Sequence, residues 1–211
     1  MSDTAAFRRV IDAEDNDQVA TCVALGERLL AESPESTLTR FSVANTLYLM
    51  ARYEDALAQY DAILQSDPDL EWAVRNQIGH LNRYRGDFKA AEACYARAAE
   101  IEPDNASSFV YLGAVQVRQG RLKDAERSHR TAVQCERGRI DEAYHNLGLV
   151  LRGQGRLTEA KECFEEAISR DSEYDEAIEA LRDVTAALAV LDGGPQPTSG
   201  QRPSDANDND S

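Results

Sequence analysis

The sequence predicts an all-α fold built from stacked two-helix repeats, and three observations carry that expectation. The three prolines before residue 192 are Pro34, Pro68 and Pro103, spaced 34 and 35 residues apart. Glycines keep the same beat: Gly79, Gly113 and Gly148 lie 34 and 35 apart, and Gly86, Gly120 and Gly155 follow them by seven. Side-chain columns hold the period too. Cys22, Ala56, Ala91, Ala125 and Ala160 form a small-residue column, and Gly26, Tyr60, Tyr95, His129 and Phe164 stand four residues later. Repetition at this length marks an array in which each unit buries its apolar face against the next.

The units follow in order. Residues 3–36 keep only the second half of the pattern, through Cys22, Leu29 and Pro34, and read as a degenerate first unit. Residues 37–70 carry Val43, Ala44 and Leu47 on a first helix and Ala56 and Tyr60 on a second, with Arg40 in a large-aromatic place and Pro68 at the close. Residues 72–105 carry Ile78, Gly79, Ala91, Tyr95, Ala98 and Pro103, and depart at Arg75 and Asn82. Residues 106–139 carry Phe109, Leu112, Gly113, Ala125 and Ala132, and depart at Gln116, His129 and Arg137. In residues 141–174, Tyr144, Leu147, Gly148 and Leu151 fall at i, i+3, i+4 and i+7, one face of a helix. The Gly155-Arg156 turn breaks that helix, because glycine enters left-handed dihedrals at little cost. A second stripe follows in Leu157, Ala160, Phe164, Ala167 and Ile168. Where a proline closes a unit it cannot continue the helix.

Glycine or alanine recurs where two helix backbones are expected to approach, with the aromatic filling the space left open. One extra residue enters near Glu71 and another near Ile140, in inter-unit turns. Residues 175–191 read as a capping helix with Ile178, Leu181, Val184 and Leu188 facing inward. The repeat array thus occupies residues 1–192. The stretch 193–211 has no large apolar residue and is expected to be a disordered acidic tail.

Composition narrows the function. Of 211 residues, 42% are apolar and the net charge is −15, from 38 acids against 23 bases. Such a balance opposes binding to a nucleic-acid backbone or an anionic membrane surface. No run approaches the ~18 consecutive apolar residues of a membrane span, and no basic segment precedes an apolar one at the start. A soluble, cytoplasmic protein is expected. Cys22, Cys94, Cys135 and Cys163 lack the short spacing of a zinc or redox motif and read as reduced thiols on helices. Gly153-Gln154-Gly155 lacks the Gly-Lys-Ser/Thr of a phosphate loop, and its second glycine is explained by the period. His129 stands in the aromatic column and is expected to be a packed, hydrogen-bonded core residue. No nucleophile, base and orienter can be assembled, so no catalytic residue, metal site or cofactor is expected.

These residues resemble the tetratricopeptide repeat, whose pattern is W-x2-L-G-x2-Y…A-x3-F…P. The resemblance runs over about residues 3–174 and is fullest at 141–174, where Ser172 stands in place of the closing proline. It implies a right-handed superhelical array whose first helices line a concave groove, where relatives cradle an extended peptide or a partner helix. Helical rotation from the core stripe then places Asn45, Asn76, His80, Arg83, Tyr111, Arg118, His145, Asn146 and Arg152 in that groove. Amides can bond a peptide backbone and arginine can fork onto carboxylates, so the ligand expected is a protein or peptide that presents acidic or exposed polar backbone groups. The carboxylate grip of chaperone-binding relatives is not expected: Lys89, Lys123 and Lys161 all belong to second helices, and Phe41 occupies a place where a groove lysine would be needed. The leading expectation is a non-enzymatic adaptor or scaffold. Its alternatives are a recognition subunit for a catalytic domain on another chain, and a self-assembling repeat protein.

Overall fold

The computed structural model describes residues 8–13 and 18–193. The first residues of the degenerate unit, residues 14–17, and all of the expected tail beyond Gly193 lie outside the described residues. After a helical stretch at 8–13 come ten α-helices in antiparallel succession. They are α1 (Val19–Glu32), α2 (Thr37–Leu49), α3 (Tyr53–Ser66), α4 (Glu71–Tyr84), α5 (Phe88–Ile101), α6 (Ala106–Arg118), α7 (Leu122–Ala132), α8 (Ile140–Gly153), α9 (Leu157–Arg170) and α10 (Asp175–Leu191). No strand occurs among the described residues. The protein is an all-α repeat array.

The pairs α2/α3, α4/α5, α6/α7 and α8/α9 share one construction. Ala56, Ala91, Ala125 and Ala160 are fully buried, and the ring four residues later is Tyr60, Tyr95, His129 or Phe164, none more than 1% exposed. Across from each ring the first helix offers a residue with little or no side chain. A Cβ added at Gly79 would lie 2.5 Å from the Tyr95 ring, at Gly113 2.5 Å from the His129 ring, and at Gly148 2.6 Å from the Phe164 ring. The tight contact is therefore backbone against ring, where the sequence suggested backbone against backbone.

Two departures from the repeat pattern have structural reasons. Gln116 is buried but satisfied, accepting from the Ser128 hydroxyl at 2.8 Å and donating to Glu92 at 3.4 Å. Arg137 replaces a proline because its N–H is used: it donates to the Asp104 carbonyl at 3.1 Å, while the Arg137 carbonyl accepts from Ala106 at 2.8 Å. That exchange makes the isolated parallel bridge between Asn105 and Arg137. Two expectations are corrected. Cys135 lies in the loop after α7, not on a helix. On α10 the buried stripe is Ala177, Ala180 and Val184, with Leu181 and Leu188 on its flank and Ile178 only half-buried.

Neighbouring repeats are tied by a recurring ion pair. An arginine in the turn between paired helices reaches a glutamate on the second helix of the preceding repeat: Arg85 to Glu54 at 2.9 Å, Arg121 to Glu92 at 2.7 Å, and Arg156 to Glu126 at 2.7 Å. Burial alone would raise the Glu126 carboxyl, but hydrogen bonds from Arg156, Gln154 and Arg130 outweigh it and hold the group at about 2.

The turn before each second helix needs left-handed backbone. Gly86, Gly120 and Gly155 supply it at φ near +80, +76 and +77, but the corresponding residue of the earlier repeat is Ala51, at φ +58. An L side chain there costs roughly 1–2 kcal/mol, partly offset by the lower freedom of alanine in the unfolded chain. Ala51→Gly should therefore raise stability by about 0.5–1 kcal/mol in urea titrations. Gly148→Leu should cost about 1–3 kcal/mol by overpacking against Phe164. Gly153→Ala, at a position with nothing within 4 Å of the new Cβ, should be neutral or mildly stabilising. Equal melting temperatures for the two glycine variants would contradict the ring-on-backbone contact.

Candidate functional site

Three depressions run in sequence along the first helices, each sharing a residue with the next. The first, of about 430 Å³, lies between α4 and α6 and is lined by Arg83, Tyr84, Phe88, Ala114 and Arg118. Ala114 also borders the second, of about 360 Å³, whose walls are Val117, Leu122, His129, Asn146, Leu149, Val150 and Gly153. Leu149 in turn borders the third, of about 380 Å³, with His145, Arg152, Glu176, Glu179, Ala180 and Asp183. Together they form one trough over α4, α6, α8 and α10. Its character changes along its length: basic and aromatic, then apolar, then acidic.

The basic end is built from uncommitted guanidinium groups. Arg83 lies 5.6 Å over the Tyr84 ring and Arg118 5.8 Å over the Phe88 ring. Neither forms an ion pair among the described residues, and both are exposed. Stacking on a ring orients a guanidinium while leaving its N–H donors to a ligand. Arg152, by contrast, pairs with Asp183 of α10 at 3.1 Å. The groove is thus not uniformly basic, as the sequence suggested; the cap brings three carboxylates to its far end.

Of the other residues assigned to the groove, Asn146 lines the apolar depression and His145 the acidic one. Asn76 is turned into the fold. It is 6% exposed, donates to the Trp72 carbonyl at 3.0 Å and accepts from Ser108 at 3.3 Å, while Ser108 accepts from the Trp72 indole at 3.0 Å. Asn45 accepts from the Tyr60 hydroxyl at 2.6 Å. His80 meets the Tyr95 hydroxyl through Nδ1 at 2.8 Å and stacks edge-on against Tyr111 at 4.5 Å. His145 meets the Tyr174 hydroxyl through Nδ1 at 3.1 Å. The polar atoms assigned to a ligand are in these cases partnered within the fold.

Phe88, Ala114, Leu122, His129, Val150 and the carboxylates of α10 do not stand out in the sequence as groove residues. Periodicity reports which helix face a residue occupies, not how far a second helix or a cap reaches into the trough. His129 also departs from expectation. It is packed and 1% exposed, but its Nδ1 has no hydrogen-bond partner. Among the described residues no group of three His, Cys, Asp or Glu side chains converges as a metal ion would require, and no helix is long and apolar enough to cross a membrane.

Comparison with known proteins agrees with this architecture. The family described as "Tetratricopeptide repeat" matches residues 141–174, and that described as "TPR repeat" matches residues 79–120. Residues 79–120 and 141–174 are tetratricopeptide repeats. Among solved structures, this chain superimposes on the MamA protein with a TM-score of 0.64 at 17% identity, over 82% of this chain and 94% of that one. It also superimposes on the first TPR of Spaghetti (RPAP3), solved bound to the HSP90 peptide SRMEEVD, with a TM-score of 0.53 at 24% identity, over 56% and 94% of the two chains. Among curated proteins, it is 30% identical over 109 residues to the probable UDP-N-acetylglucosamine–peptide N-acetylglucosaminyltransferase SPINDLY of Arabidopsis thaliana, covering 49% of this chain and 12% of that protein. It is 28% identical over 160 residues to the STIP1 homolog of Dictyostelium discoideum, covering 61% of this chain and 28% of that protein. The chain thus spans only a minor part of the length of these two curated relatives.

The histidines of the array are held neutral. Burial pushes His80 down to about 4, helped by the positive charges of Arg83 and Arg139, and burial alone pushes His129 to about 4. Burial also lowers His145, against the pull of Glu176 and with the push of Arg152. A gain of groove charge between pH 7 and 6 is therefore not expected. Stability carries the signature instead. Unfolded histidines titrate near roughly 6.5, so between that value and about 4 the unfolded chain binds more protons than the folded one. The histidine contribution should be complete above about pH 6.5 and fade as pH falls toward 4. Urea midpoints at about pH 7.5 and about pH 5 should differ less in His129→Leu than in the parent protein.

Proposed function

We propose that this chain is a non-enzymatic adaptor that binds an extended peptide, or an extended segment of a partner protein, in the trough over α4, α6, α8 and α10. The observation that carries this reading is the continuity of three depressions through Ala114 and Leu149. A linear ligand needs successive subsites along one line, whereas a compact substrate needs one enclosed site. The free guanidinium groups of Arg83 and Arg118 suit carboxylates on that ligand. The peptide complex of the Spaghetti repeat domain supports peptide binding by this fold, and the peptide bound there, SRMEEVD, carries acidic residues. The likeness to the SPINDLY transferase favours a second reading, in which the trough recognises a protein substrate for a catalytic chain.

Photo-crosslinking tests the site. A crosslinker at Tyr84 or Val117, both exposed on the trough, should yield discrete adducts in native lysate; one at Glu165 on the outer face of α9 should not. Replacing Arg83 and Arg118 together by alanine should leave the fold intact. Binding of the captured partner should weaken by about 1 kcal/mol or more for each charge-assisted hydrogen bond removed, with a flatter salt dependence. Wild-type affinity in that variant, with adducts from Glu165 instead, would overturn the reading.

A further inference from the structure

The floor of the trough opens where one repeat departs from the two before it. Asn45 and His80 occupy the same place in their repeats, and each is joined to a tyrosine hydroxyl, Tyr60 at 2.6 Å and Tyr95 at 2.8 Å. The next repeat has Ala114 in that place, and the depression of about 360 Å³ lies beside its methyl. Val117, Leu122, Leu149 and Val150 wall it, Asn146 is the polar side chain among them, and no charged residue takes part. His129 lies beneath, 1% exposed and with its ring edge against Gly113, so it offers an occupant no hydrogen-bonding atom. The side chain that suits this hollow is apolar throughout.

On either side of the hollow stand charges of opposite sign that the fold leaves free. Arg83 and Arg118 lie toward α4, stacked on Tyr84 and Phe88. Toward α10 stand Glu176 and Glu179, both exposed and without an ion pair among the described residues, while Asp183 is taken by Arg152. The turn arginines give the contrast: Arg85, Arg121 and Arg156 are all committed to glutamates. A ligand lying along the trough meets free positive charge, apolar wall and free negative charge in that order.

Spacing and backbone chemistry restrict the conformation of such a ligand. The three depressions lie between α4 and α6, α6 and α8, and α8 and α10, so they recur at the spacing of packed helices, about 8–10 Å. A β-strand presents side chains on one face about every 7 Å, whereas a polyproline II helix does so at every third residue, about 9.3 Å apart. Backbone partners are scarce as well, because Asn45, Asn76, His80 and His145 are engaged within the fold. A strand laid there would leave amides unpaired, while a polyproline II backbone stays solvated. The exposed Tyr84 ring at the basic end suits proline, which docks on aromatic-lined grooves.

We propose that the trough reads a seven-residue segment in polyproline II conformation. An acidic side chain sits on Arg83 and Arg118, an apolar one three residues away fills the hollow beside Ala114, and a basic one three residues further sits on Glu176 and Glu179. The end charges set the register, and the hollow holds the anchor. This inference rests on the groove-binding reading above and names the chemistry of its ligand.

The test titrates the ¹⁵N-labelled full chain by NMR with acetylated, amidated peptides to millimolar concentration. They are Glu-Pro-Pro-Leu-Pro-Pro-Lys, its reverse, and the composition-matched Pro-Pro-Glu-Leu-Lys-Pro-Pro. The better of the two spaced peptides should bind at least threefold tighter than the third, with amide shifts at Val117, Leu149 and Gly153. Leu→Asn in the peptide should weaken binding about tenfold, through lost apolar burial. Replacing its glutamate or its lysine by glutamine should each cost about two- to fivefold, the worth of an exposed ion pair. The lysine effect should vanish in Glu176→Gln with Glu179→Gln, and the glutamate effect should survive there; Arg83→Ala with Arg118→Ala should do the opposite. Equal binding of spaced and adjacent charges, indifference to Leu→Asn, either variant erasing both charge effects, or no binding would overturn the inference. Shifts confined to the Arg83 and Arg118 end, the outcome for a simple acidic segment, would overturn it too. If the Arg83 and Arg118 variant still weakens the crosslinked partner in any of those cases, the groove reading stands and only the seven-residue register falls.

Discussion

Everything in this array depends on a ring pressed against bare backbone. Tyr95 under Gly79, His129 under Gly113 and Phe164 under Gly148 set how closely the paired helices lie. A single Cβ on any of those glycines would have to displace a buried ring, and interiors packed at crystal-like density give way only at a cost. Because the distance is fixed within each pair, the first helices of successive repeats fall into line. The trough is a by-product of that alignment.

Once the spacing is set, the side chains beside each glycine decide whether the trough is filled or open. Where amide or imidazole meets phenol, the floor is closed by a hydrogen bond in a partly buried site, and the polar tips are no longer available. Where alanine meets imidazole, the floor is open. The same scaffold thus yields a closed floor in two repeats and a cavity in the next, with no change in backbone. Electrostatics is layered on in the same local way: Arg83 and Arg118 stay free on aromatic faces, while Arg152 is neutralised by the capping helix.

The fold is legible in the sequence because its main determinant is periodic. Proline, glycine and alanine columns at 34–35 residues state the helix pairs directly, and the glycine partners of the rings stand out from the period alone. The site is legible only in part. Arg83, Arg118, Asn146 and Arg152 do line the trough, but Asn76 turns inward to Trp72 and Ser108, and Asn45, His80 and His145 are each engaged by a tyrosine hydroxyl. A helical wheel assigns a face to these residues without knowing which neighbour will claim their polar atoms. Asp183, Glu176 and Glu179 are invisible as groove residues for a related reason: they belong to a helix outside the repeat. The Ala51 turn is hidden because alanine does not announce left-handed backbone. Its place one period before Gly86 is the available signal.

The arginine-to-glutamate ties between repeats bear on the mechanics of the array. Arg85–Glu54, Arg121–Glu92 and Arg156–Glu126 cross from one repeat to the next, whereas the ring contacts lie within a repeat. The ring contacts inside a unit are therefore short-ranged and indifferent to salt. Part of the force at the joints is ionic and reached by solvent, and it is screened as the Debye length shrinks. Rising ionic strength should weaken those ties while leaving the ring contacts unchanged, so the array behaves as a spring whose compliance depends in part on the solvent. A ligand spanning several repeats would feel that compliance as a change in the pitch it must match.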